Sequence, residues 1–131
     1  MPHDPTMSME EVIRRDGRYS PEAYRFLQEG LARATEAAYG EEEPSHGQRH
    51  VTGQQICCAL RDLAIEKWGM LAKAVLGRWN IHATIDFGNM VYLLIEHKFM
   101  KKSESDSIED FRDVYDLDEA LEDAGKFEPK E

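Results

Sequence analysis

The chain has 131 residues, 41% of them hydrophobic and 32% charged, and carries a formal net charge of −10 at pH 7. Such a length suits one domain around one core, and the composition leaves no apolar run long enough to cross a bilayer. Met1 to Met9 lacks the charged-then-apolar pattern of a secretory signal, and the neighbouring Cys57 and Cys58 could pair only through a strained ring, so a reducing, cytoplasmic setting is expected.

Local signals place four to five helices in chain order. Ser8 with Glu11 forms a capping box opening a short helix that ends near Asp16-Gly17. Ser20-Pro21 pairs a cap with proline at the first helical position, and Ala23, Phe26, Leu27, Gly30, Leu31, Ala34 and Ala38 recur at helical spacing until Gly40. The stretch from Glu41 to Gly47 mixes like charges with breakers and reads as a solvated loop.

Thr52 with Gln55 is a second capping box, followed by the stripe Ile56, Leu60, Leu63, Ala64 and Trp68 up to Gly69. Leu71, Ala72, Val75, Leu76 and Trp79 hold the same period, with Asn80 as a left-handed stop. Thr84 and Asp86 offer caps for a helix with Phe87, Val91, Leu94 and Ile95 inward and Met90 beside them. From Phe99 to Tyr115 the helical period is lost, and a small hairpin fits. Asp116 with Glu119 caps a last short helix through Leu117, Ala120, Leu121 and Ala124.

The expected fold is therefore mainly α (α+β): a compact bundle of four to five helices with a C-terminal β-hairpin. It forms a single domain over 1–131, with its core at roughly 8–124 and frayed ends at 1–7 and 125–131. The order is winged-helix-like, with Thr84 to Lys98 in the recognition-helix position and Phe99 to Val114 as the wing.

Candidate chemistry is sparse. His46 and His50 stand four apart with Cys57 and Cys58 close behind, but adjacent cysteines cannot both face one ion without bending their helix, so no metal site is expected. Cys57 reads as a small core hydrophobe, Cys58 as partly exposed, and His50 as cover for the helix that Thr52 caps. Asp86-Phe87-Gly88 has the letters of the kinase magnesium motif without the loops that give them meaning; Phe87 reads as core and Gly88 as a point of close approach. No phosphate-cradling loop and no Gly-x-Ser-x-Gly elbow occurs, and no cofactor is expected.

Charge is uneven. Residues 1–48 carry five Lys or Arg against ten Asp or Glu, residues 49–102 eight against four, and residues 103–131 three against twelve, which gives −5, +4 and −9. Lys73, Arg78, His82, Lys98, Lys101 and Lys102 supply much of the basic middle and are the candidate contacts to an anion or nucleic acid. A solvated face explains them as well, because a duplex binder usually has a larger basic excess.

The runs Arg49-His50-Val51-Thr52-Gly53-Gln54-Gln55, Trp79 with Thr84-Ile85-Asp86-Phe87-Gly88, and Asp110-Phe111-Arg112-Asp113-Val114-Tyr115-Asp116 resemble a bacterial family found mainly in planctomycetes and verrucomicrobia. The resemblance covers roughly residues 10 to 121. It implies a bacterial, cytoplasmic setting and transfers no activity, cofactor or catalytic residue.

The leading functional expectation is a non-enzymatic protein-interaction or regulatory module that binds another protein or itself, with no membrane partner. The alternatives are a winged-helix-like nucleic-acid binder modulated by the acidic C-terminal region, disfavoured by net charge, and an enzyme whose site only a pocket of convergent polar groups would reveal.

Overall fold

The computed structural model describes residues 7–40, 51–101 and 106–124. The chain is mainly helical: α1 (Met9–Asp16), α2 (Pro21–Tyr39), α3 (Gly53–Trp68), α4 (Ala72–Arg78), α5 (Thr84–Glu96) and α6 (Leu117–Ala124), with 3₁₀ turns at Gly69–Leu71 and Ile108–Phe111. No helix among the described residues is long and apolar enough to cross a membrane.

The expected caps form. Ser8 Oγ accepts from the Glu11 N–H at 3.2 Å, and Gly17 closes α1 at φ 74°. Ser20 Oγ accepts from the Ala23 N–H. Thr52 and Gln55 bond reciprocally, at 3.1 and 2.8 Å, so two otherwise orphaned donors are satisfied at the start of α3. Asn80 takes the left-handed conformation at φ 66°, and Asp116 accepts from the Glu119 N–H ahead of α6.

Packing follows from the stripes. α2 and α3 form the most extensive pair, and they approach so closely at Gly30 that an added Cβ there would collide with the Leu60 Cδ2 and lie 2.8 Å from its Cγ. Leu27, Leu60, Leu63, Leu76 and Leu94 are buried in one cluster to which each α-helix contributes. Each such side chain contributes about 1.5–3 kcal/mol relative to an exposed one. Phe26, Trp68 and Trp79 join α2, α3 and the α4–α5 turn through ring centroids 5.2–5.9 Å apart.

Three expectations are corrected. No strand occurs among the described residues, so the hairpin expected over 99–115 is not supported; residues 102–105 of that stretch lie outside the described residues. In its place Ser107 caps the 3₁₀ turn by accepting from the Glu109 N–H, Asp110 accepts in return from the Ser107 N–H, and Phe111 is buried, which is incompatible with a solvated wing. Second, α5 has a single exposed residue, Glu96, so a helix in the recognition position presents no polar face to a groove. Third, Leu71 and Ala38 are exposed; Gly69 (φ 51°) starts a 3₁₀ turn that shifts the phase of the α4 stripe at Leu71.

The Glu41 to Gly47 loop, His46, His50 and, apart from Met7, the frayed ends lie outside the described residues.

Candidate functional site

Gly53, Thr84 and Gly88 meet the turn at Asp110 and Phe111. A Cβ on Gly53 would come within 2.9–3.1 Å of Asp110, and a Cβ on Gly88 would come within 2.8 Å of Phe111 Cβ, so each glycine permits backbone approach of the 3₁₀ turn. Thr84 Oγ1 donates to the Phe111 carbonyl at 2.6 Å and accepts from the Val114 N–H at 3.2 Å. Tyr115 donates to the Cys57 carbonyl at 2.6 Å, with the Arg61 guanidinium 5.5 Å above its ring. Together they clamp residues 110–115 onto α3 and α5, a structural task.

Beside the clamp is a cavity of about 140 Å³ lined by Tyr92, Lys101, Asp106, Ser107 and Asp110 among others. It is smaller than the roughly 300 Å³ at which pockets for organic ligands begin. Asp86, in the kinase-like triplet, is a cap: its carboxylate accepts from the His82 and Ala83 N–H groups and from the Tyr19 hydroxyl at 2.6 Å. Phe87 is core, as expected.

Two larger surface grooves lie among the described residues. The first runs between α4 and α6, with a volume of about 480 Å³ and a floor of Leu76, Ile81, Leu117 and Leu121. Met70 forms one lip, and with Leu71 it comprises the strongly exposed large hydrophobics among the described residues, at 74% and 65%. Lys73 and His82 border the groove from the α4 side and Asp118 from α6, with Lys73 and Asp118 3.8 Å apart across it.

The second groove, of about 340 Å³, lies where the α1–α2 turn meets the α4–α5 turn and is bordered by Arg14, Arg18, Tyr19, Arg78 and Trp79. Asn80 ties the turns together by donating to the Arg18 carbonyl at 3.3 Å, and Tyr19, held by Asp86 and Asn89, fixes the wall. Asp16, by hydrogen bond and charge, raises the Arg18 pKa above the usual guanidinium value.

The six basic candidates are therefore dispersed. Lys73 and His82 border the first groove, Arg78 the second, and Lys101 the small cavity. Lys98 stands at the left-handed stop after α5, and Lys102 lies outside the described residues. The 13 residues of α5 separate His82 from Lys98, about 20 Å at 1.5 Å per residue. Arg14 and Arg18, from the first twenty residues, join Arg78 through tertiary docking, and no sequence signal announced them.

Cys57 is buried, which pushes its thiol up to about 12, and Cys58 is partly exposed. Among the described residues no group of three His, Cys, Asp or Glu is placed to hold a metal ion. No protein-family model, curated protein or solved structure matches the chain.

Proposed function

We propose that the protein is a non-enzymatic interaction module that self-associates through the α4–α6 groove, with the Met70–Leu71 edge of one copy seated against the groove of another. The observation that carries the reading is the exposure of Met70 at the lip of a groove with an aliphatic floor, with Leu71 exposed next to it in the chain. Isolated apolar residues on a surface are ordinary; an exposed methionine on the lip of an apolar groove, followed by an exposed leucine, favours a contact face there.

Charge favours a second copy as the occupant. One lip carries Lys73 and His82 and the other Asp118, with Glu122 exposed further along α6. Lys73 and Asp118 pair at 3.8 Å within one copy, and a two-fold contact can exchange that pair for the same pair between copies, which makes the face self-complementary. The cytoplasmic setting and the bacterial family resemblance belong to the same proposal and rest on the sequence.

Sedimentation velocity over a concentration series tests it. Wild type is expected to dimerise, and Leu71→Glu to remain monomeric with an unchanged unfolding temperature, since Leu71 contributes little to the core. A wild type that stays monomeric at high concentration, or a dimer indifferent to Leu71→Glu, ends the reading.

A further inference from the structure

On a chain with net charge −10, the groove between the α1–α2 and α4–α5 turns is bordered by three guanidiniums and no carboxylate. Two of those cations already have partners outside the groove: Arg14 pairs with Glu10 at 2.8 Å and Arg18 with Asp16 at 3.0 Å. Arg78 has no ion-pair or hydrogen-bond partner among the described residues. The groove thus holds about one uncompensated positive charge and further N–H donors at its rim.

Its walls are preorganised. Trp79 is wedged against Trp68 and Phe26, Tyr19 is tied to Asp86 and Asn89, and Asn80 links the turns. The organic body of a ligand therefore meets walls already ordered and does not have to fix a loop. The planar, multiply donating guanidinium matches a tetrahedral or planar oxyanion better than a point charge does, and an aromatic wall suits a flat body attached to it. About 340 Å³ is several times the space a lone phosphate occupies and reaches the lower range of organic-ligand pockets.

We propose that the groove bordered by Arg14, Arg18, Arg78 and Trp79 binds a phosphomonoester small molecule, its phosphate dianion on the guanidiniums and its organic body along Trp79. The site is distinct from the α4–α6 groove, so either assignment can fail alone.

Phenyl phosphate, inorganic phosphate and phenol, titrated calorimetrically and by tryptophan fluorescence, test it. Phenyl phosphate is expected to saturate near about 1 mM, inorganic phosphate to bind more weakly, and phenol not to bind. Arg78→Gln and Arg14→Gln should each weaken phenyl phosphate about tenfold at an unchanged unfolding temperature, while Lys73→Gln and Lys101→Gln leave it unchanged. Any of three outcomes overturns the assignment: no saturation by either phosphate up to about 10 mM, phenol as tight as phenyl phosphate, or equal weakening by all four substitutions, which would mean diffuse attraction.

Discussion

Thr84 is a buried polar side chain, 1% exposed, and its hydroxyl is fully used: it donates to the Phe111 carbonyl and accepts from the Val114 N–H. Removing it leaves both backbone groups unpaired in the interior, and each such loss costs about 1–3 kcal/mol. Thr84→Val keeps the volume and deletes the hydrogen bonds, so it should lower stability in chemical unfolding by at least one such amount. Thr84→Ser keeps the hydroxyl and removes one methyl, a change of about 1 kcal/mol or less. If valine proves as stable as wild type, the clamp has no energetic weight. Gly88 belongs to the same contact, and Gly88→Ala should destabilise because Phe111 Cβ stands where the new methyl would go.

Helices pair according to what their faces allow, and Gly30 decides the closest pair. Alanine is favoured over glycine within a helix by about 1 kcal/mol, yet a methyl at Gly30 would strike Leu60, which is fully buried and has little room to move. Overpacking of that kind costs about 1–3 kcal/mol, so Gly30→Ala should be net destabilising. In a Leu60→Ala background the same substitution should become neutral or stabilising, and a double-mutant cycle reads the difference. Additive effects would mean that α2 and α3 do not meet as described.

What the sequence announced at this scale was local. Ser8, Ser20-Pro21, Thr52 with Gln55, Asn80 and Asp116 all bound helices as their short-range chemistry requires. Residues 107–115 misled, since Ile108, Val114 and Tyr115 suit an extended strand in isolation, whereas Ser107 with Asp110 forms a cap whose turn is held by Thr84, Gly88 and Cys57 from far along the chain. The same limit applies to the sites. Lys73, Arg78, Lys98 and Lys101 share a sign but not a place, and Arg78 meets Arg14 and Arg18 only once α1 docks beside the α4–α5 turn.

Across the molecule, Cys57 and three packed tyrosines are held protonated. Burial raises the pKa of Tyr24, Tyr115 and Tyr19 above the ordinary value of 10.0, Tyr19 to about 12, and lifts Cys57 from 9.0 to about 12. Tyr24 shows the cause most plainly, because its buried hydroxyl has no hydrogen-bond partner among the described residues. Each group has a folded pKa above its unfolded one, so its contribution is fully present below pH 9 for Cys57 or pH 10 for the tyrosines, and is lost as pH rises toward the folded values. Within that window the unfolded chain has released protons that the folded one retains, and each such group weakens folding by about 1.4 kcal/mol per pH unit. Repulsion within a chain of net charge −10 also grows with pH, but salt screens it beyond a Debye length of about 3 Å at 1 M, whereas the cost of ionising a buried phenol is screened much less. Thermal unfolding followed by circular dichroism should therefore shift steeply downward above about pH 9–10 at both low and high salt. Tyrosinate absorbance from the buried rings should appear only with the loss of helix. Rings that ionise near pH 10 while the helical signal is intact, or an alkaline shift abolished by 1 M salt, would mean that surface charge and not the buried hydroxyls sets the limit.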